Sequence, residues 1–255
     1  MKEKFLRIKT LKTPFIKYGF FTRNGGYSKN SLASLNCNFA KGDTIKNVNN
    51  NIKKAVKELD LSKKKLILIK QTHSNKIIKI DKKNIYHKHI GDGLVTSLSN
   101  VALGILTADC APIFLFNKEK KFICCLHSGW KGTLSNIAKK AIKFFNKNNI
   151  KNSEIIAIIG PCLSSRNFEV ELDFKKKFLK KNPKYESFFK YKNKSKEYFN
   201  MRGLINFQFH ELGLKHLYNL NKDTYANDSI FYSYRRCVHL NKNTGGRMIN
   251  IISFT

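Results

Sequence analysis

Gln71-Thr72-His73-Ser74, Thr107-Ala108-Asp109-Cys110 and Leu126-His127-Ser128-Gly129-Trp130-Lys131-Gly132 are the segments on which the reading of this chain turns. Each stands where an apolar run stops. His73 follows Leu66-Ile67-Leu68-Ile69, Cys110 follows Val101-Ala102-Leu103-Gly104-Ile105-Leu106, and His127 follows Phe122-Ile123-Cys124-Cys125-Leu126. Short apolar runs bounded by turn residues read as buried strands. The pattern therefore predicts three buried strands that deliver His73, Cys110 and His127 to one edge of a sheet.

Imidazole nitrogen and thiolate sulfur are ligands that zinc prefers, and three protein ligands leave a fourth position open, as in a catalytic rather than a structural site. The intervals of 37 and then 17 residues do not match a zinc-finger knuckle, so tertiary folding has to assemble the site. The competing reading of the same residues is a buried thiol with two hydrogen-bonded histidines.

Further segments extend the pattern. They are Thr22-Arg23-Asn24-Gly25-Gly26-Tyr27-Ser28, Ala33-Ser34-Leu35-Asn36, Gly91-Asp92-Gly93-Leu94-Val95-Thr96, Ile159-Gly160-Pro161-Cys162 with Phe168-Glu169-Val170, and Tyr234-Arg235-Arg236 followed by Thr244-Gly245-Gly246-Arg247. In this order, and over nearly the whole chain, they resemble the bacterial purine nucleoside phosphorylase family, also described as multicopper polyphenol oxidases or laccase-domain proteins. The resemblance implies that His73, Cys110 and His127 are metal ligands, the same three that the strand ends pick out. It also implies phosphorolysis of adenosine, inosine, guanosine and methylthioadenosine, together with adenosine deamination.

A chain of 255 residues with 42% hydrophobic and 12% aromatic content has enough apolar material for one large globular domain, here residues 1–255. The expected class is α+β, with mixed β-sheets covered by helices and the active site at strand ends. The formal charge of +32 invites a nucleic-acid reading. All but seven of the 49 basic residues are lysine, however, spread along the chain in the manner of an AT-rich genome's usage. Lys63-Lys64-Lys65 and Lys175-Lys176-Lys177 read as solvated surface. No specific nucleic-acid partner is expected, only salt-sensitive attraction to polyanions.

Four of the seven arginines, Arg23, Arg235, Arg236 and Arg247, lie in Gly-rich or aromatic segments. There a planar fork of donors suits a phosphate or a structural ion pair equally for each residue alone, and the four together suggest a phosphate pocket. Arg23, Lys131 and Arg247 are the candidates for phosphate or substrate. Asp92 is the candidate for a ribose hydroxyl or for orienting a metal-bound histidine, against the plain alternative of a turn aspartate. Lys131 stands where the family often has arginine, which keeps the charge and loses the fork.

The six cysteines contain no C-x-x-C pair, and adjacent Cys124 and Cys125 in a strand point to opposite faces. A reduced, cytoplasmic setting is expected. Met1 to Tyr18 carries lysine throughout and lacks the apolar core of an export signal, and no stretch reaches about 18 apolar residues.

Among the other elements, a capped helix is expected from Ile45 to Leu59, a helix after Gly132 through Phe145, a buried strand at Glu154 to Ile159, and a short helix around Phe174 and Phe178. A further helix is expected from Leu204 to Leu217. Tyr86 to His89 reads as a surface loop and Tyr185 to Tyr198 as a mobile one. Three features depart from the family pattern: Asn206 where a helix-opening Asp is expected, Asp223 in place of a Cys, and an insertion between Arg236 and Thr244. The pattern sets neither strand order nor oligomeric state. Zinc is the expected cofactor, with copper open to the same ligands. Two other enzymes fit the same residues, a laccase-like copper oxidase and a thiol hydrolase with Cys110 as nucleophile and His127 as base.

Overall fold

The computed structural model describes residues 3–39, 42–117, 121–242 and 245–255. Thr244, from the last family-like segment, lies outside them. Two six-stranded mixed sheets form the centre of the α+β architecture. The first runs β1 (Phe5–Leu6), β2 (Ile16–Phe21), β15 (Met248–Phe254), β7 (Val101–Thr107), β3 (Lys65–Lys70) and β5 (His89–Ile90). The second runs β14 (His216–Asn219), β10 (Ile155–Ile159), β8 (Ala111–Asn117), β9 (Ile123–Ser128), β6 (Gly93–Thr96) and β4 (Ile77–Ile80). A small third sheet orders β11 (Glu169–Glu171), β13 (Lys196–Phe199) and β12 (Phe189–Tyr191).

The sheets face one another. Ile67, Leu103, Ile105 and Ile252 of the first share a buried cluster with Phe114, Phe116, Cys125 and Ile158 of the second. The first sheet turns its other face, with Phe21, Ala102 and Ile251, toward α1 (Ile45–Glu58), which supplies Ala55. The second turns Ile113, Leu115, Cys124 and Ala157 toward α3 (Ile137–Lys147) and α5 (Met201–Glu211). Period-two alternation along a strand thus sends Cys124 and Cys125 into separate cores.

This layering changes the expected placement of the site. His73 follows β3 of the first sheet, His127 lies on β9 of the second, and Cys110 sits in the three-residue crossover from β7 to β8. The three residues meet where the chain passes between two sheets, not along the edge of one.

Several local expectations are corrected. The helix after Gly132 is two helices, α2 (Trp130–Leu134) and α3, divided at Asn136, whose left-handed backbone (φ 55°) starts α3 and whose side chain caps Lys139 N. Residues 204–217 are not one helix. There α5 opens at Met201 under an Asn200 cap, and β14 follows it. Asn206 therefore opens nothing; it exchanges side-chain hydrogen bonds with Asn219 of β14 at 2.9 and 3.3 Å. Tyr185 to Tyr198 is ordered as a 3₁₀ turn and the third sheet, on a base of Phe178, Phe189 and Phe199 rings. The strip beyond Tyr86 is only partly a surface loop, because His89 is buried in β5. Among the described residues no helix is long and apolar enough to cross a membrane.

Candidate metal centre

Asp92 organises the centre. It is fully buried at the turn before β6, and its carboxylate accepts from Thr72 N (3.2 Å), His73 N (2.9 Å), Ser74 N (2.6 Å) and Ser74 Oγ (2.7 Å). This grip fixes His73 in a left-handed conformation (φ 58°), which is uncommon for a non-glycine residue. The same carboxylate meets His127 Nδ1 at 2.8 Å, which leaves Nε2 as that ring's ligand atom. Burial alone would raise the Asp92 carboxyl, but hydrogen bonds from His127 and Ser74 outweigh it and hold it far below the ordinary range.

The ligand atoms of His73, Cys110 and His127 lie within 4.8 Å of one another. Their exposure is graded, with His127 buried, Cys110 half-buried and His73 exposed at the mouth. Burial pushes the Cys110 thiol up, yet His127 and His73 overcome it and bring it to about 6. Burial likewise pushes His127 down, and Cys110 and Asp92 reverse that, raising it. A thiolate facing two imidazoles, one of them oriented by a carboxylate, is a donor set suited to zinc or copper. Among the described residues this is the one group of its kind.

Gly129 supplies space for the set. A Cβ added there would stand 2.8 Å from Cys110 Sγ and 3.1 Å from His73 Cδ2. Its φ of −80° is open to any residue, so Gly129→Ala tests space alone. We expect the variant to fold, to keep its unfolding free energy in urea titration within about 1 kcal/mol of wild type, and to lose metal affinity by at least about tenfold in a chelator competition.

Asp109, beside Cys110, builds the opposite wall. Its backbone is also left-handed (φ 85°). Its buried carboxylate accepts from Arg235 N (2.7 Å), Thr224 Oγ1 (2.6 Å) and Ser233 Oγ (3.0 Å). Burial raises its pKa against the pull of these donors. Asp223 steadies the adjoining loops, accepting from Ser164 Oγ (2.8 Å), Asn167 Nδ2 (2.5 Å) and Tyr225 N (3.0 Å). The aspartate at this departure from the family pattern is therefore a loop clasp.

These walls enclose a cleft of about 730 Å³ with the three ligands inside it and Gln71, Trp130, Phe168, Tyr234, Arg235 and Arg247 around them. A family model described as "Multi-copper polyphenol oxidoreductase laccase" matches residues 17–255 of this sequence. The chain belongs to that family. A purine nucleoside phosphorylase of Rickettsia conorii is 32% identical over 176 residues, covering 69% of this chain and 72% of the relative. Another of Haemophilus influenzae is 27% identical, over 91% and 92% of the two chains. The solved structure of YlmD from Geobacillus stearothermophilus superposes with a TM-score of 0.87 at 23% identity, covering all of this chain and 97% of the other.

Within this laccase-family cleft the expected anion-binding residues divide. Arg247 lines it, and Cys110 and Asp109 lie close enough to support its charge against burial. Arg23 does not line it: its guanidinium donates to Ala33 O (2.8 Å), Asp228 O (3.0 Å) and Ser31 O (3.2 Å) and covers the Tyr232 ring at 4.5 Å. Arg23 ties together the Gly-rich loop and the segment before α6 (Tyr234–His239). Lys131 is exposed outside the cleft, its ammonium 5.5 Å from the Trp130 ring. Arg235, not chosen for substrate from sequence, is in the cleft. It donates to Glu169 O at 2.8 Å and lies 5.5 Å over Phe168. Its sequence signals are its place among a few arginines and in the family-like Tyr234-Arg235-Arg236 segment.

Proposed function

We propose that this protein is a zinc-dependent purine nucleoside phosphorylase that acts on adenosine, inosine, guanosine and methylthioadenosine, with adenosine deamination as a second activity of the same cleft. The observation that carries the reading is the convergence of His73, Cys110 and His127 with Arg235 and Arg247 on one cleft. The curated relatives named as purine nucleoside phosphorylases support it. In phosphorolysis a phosphate oxygen forms a bond to the anomeric carbon as the bond to the purine nitrogen breaks, giving ribose 1-phosphate and a base that takes up a proton. In deamination water replaces the amino group, which leaves as ammonia.

His73, Cys110 and His127 hold the metal. When bound, zinc polarises an oxygen ligand and lowers the pKa of water to about 7. The chain's own groups do the rest. Asp92 keeps His127 in the tautomer that offers Nε2. Arg247 and Arg235, both on the cleft wall, attract and orient the phosphate dianion in a site of reduced dielectric. Trp130 and Phe168 give the purine flat apolar walls. Lys131 and Arg23 act from outside the cleft, the first as surface charge and the second as a loop tie.

The test is metal content together with release of adenine from adenosine, with and without phosphate. About one zinc per chain and phosphate-dependent release are expected; release that ignores both phosphate and chelators would sink the reading. One arrangement favours a second reading. Asp92, His127 and Cys110 form an acid, base and thiol series resembling that of a thiol hydrolase, and alkylation of Cys110 that abolishes activity in the chelated protein would establish it. For the copper-oxidase reading, an electron paramagnetic resonance signal from the purified protein is the required result.

A further inference from the structure

A second cavity, of about 450 Å³, opens between α3, the end of α4 (Leu172–Lys181) with the turn after it, and α5. It shares no lining residue with the metal cleft. Lys139, Lys140 and Lys143 of α3 and Lys181 of α4 face it, and Glu211 is the one acidic residue on its walls. Among the described residues none of these four lysines pairs with a carboxylate. Some lysines of α4 and the third sheet are paired, Lys175 with Glu197 (3.0 Å), Lys176 with Asp173 (2.8 Å), Lys196 with Glu169 (2.6 Å), and Lys192 also with Glu169.

A run of lysines on a convex surface is solvated and means little. Here four exposed lysines from two helices line one concavity, and a concave wall focuses their field more than a convex surface does. Lys139 and Lys143, one turn apart, repel each other. Buried Gln208 forms a polar part of the lining beside Phe207 and Leu212. Gln208, 3% exposed, donates to Thr133 O at 2.8 Å and to the Tyr185 hydroxyl at 3.3 Å. This is the chemistry of a site for a compact, multiply charged oxyanion, which lysine binds as a point charge.

The same walls are bonded to the metal centre. Thr133, which receives Gln208, joins its hydroxyl to that of Ser128 at 2.9 Å, and Ser128 follows His127. Ser135, on the cavity wall, accepts at its carbonyl from Asn75, two residues after His73, at 2.9 Å. We infer that this cavity binds a polyphosphate group, as a free chain or as the tail of a nucleotide, and is an effector site for the metal cleft.

Calorimetric titration of the full chain with sodium tripolyphosphate at about 0.15 M salt should give one saturable site. Lys140→Gln/Lys143→Gln/Lys181→Gln should weaken it at least about tenfold. Lys46→Gln/Lys53→Gln/Lys57→Gln, on α1, removes the same charge elsewhere and should bind as wild type. Equal weakening by both variants, or no saturable site, would show diffuse attraction and overturn the inference. A parallel titration with ATP separates the sources: tighter binding assigns a nucleotide, equal affinity the free chain. Binding does not depend on the proposed reaction. For the effector role, saturating tripolyphosphate should shift KM for the nucleoside in wild type and not in the α3/α4 variant, and an unchanged wild-type KM would refute it.

Discussion

Cys110→Ala is expected to purify without bound metal and to lose the proposed phosphorolysis and deamination together, each by about 10²- to 10³-fold, the scale on which deleting one electrostatic element of an active site is felt. The thiolate is the anionic member of the ligand set, held near pKa 6 by the two facing imidazoles, and its removal leaves two neutral rings as ligands. The loss is local. Cys110 is half-buried in a crossover and belongs to none of the three apolar clusters, so the urea midpoint should stay close to that of wild type. His73→Ala gives the sharper discrimination. If the cleft works through a metal, His73→Ala matches Cys110→Ala in both metal content and rate. If Cys110 is a nucleophile with His127 as base, His73 at the exposed mouth is dispensable and the variant keeps most of its activity. Metal analysis by atomic emission beside the two rates decides between them.

The legible part of this site has a physical reason. Buried strands read as apolar runs, and the polar segment ending each run is where a side chain can leave the core, so His73, Cys110 and His127 were marked by position as well as type. Which sheet each strand joins was not legible, because Leu66 to Ile69 and Val101 to Leu106 are apolar in every register. The break at Asn136 depends on a single left-handed residue within a continuing amphipathic pattern. Arg23 misleads for a related reason. A Gly-rich loop beside an arginine reads as an anion site, while the carbonyls that engage it are Ser31 O and Ala33 O of the next turn and Asp228 O, 205 residues away. Arg235 reaches the cleft because its backbone is anchored on Asp109, a contact 126 residues away in sequence. The four lysines of the second cavity are ordinary in sequence and acquire meaning only through the approach of α4 to α3.

Asp92→Asn is expected to lower stability by about 3–5 kcal/mol, the usual cost of breaking a buried charged pair by changing one partner, and to weaken metal binding by about 10- to 100-fold. The substitution keeps the shape and reverses one acceptor. The Asp92 carboxylate faces donors only, the amides of Thr72, His73 and Ser74, the Thr72 and Ser74 hydroxyls, and His127 Nδ1. An amide NH₂ there meets a donor wherever it turns, so the His73 loop loses its anchor and His127 its fixed tautomer. The pH dependence carries the same signature. The folded carboxyl titrates well below the unfolded value of about 3.9. Its stabilisation is therefore complete above that value and is lost as pH falls from there toward the folded pKa. Acid unfolding of wild type should steepen below about pH 4, and Asp92→Asn should flatten that limb while lowering the neutral plateau. Urea midpoints across pH, run beside a metal-chelator competition at neutral pH, separate the two roles. Lower stability with unchanged metal affinity would reduce Asp92 to a turn anchor, whereas loss of both makes it the group through which the fold sets the metal centre.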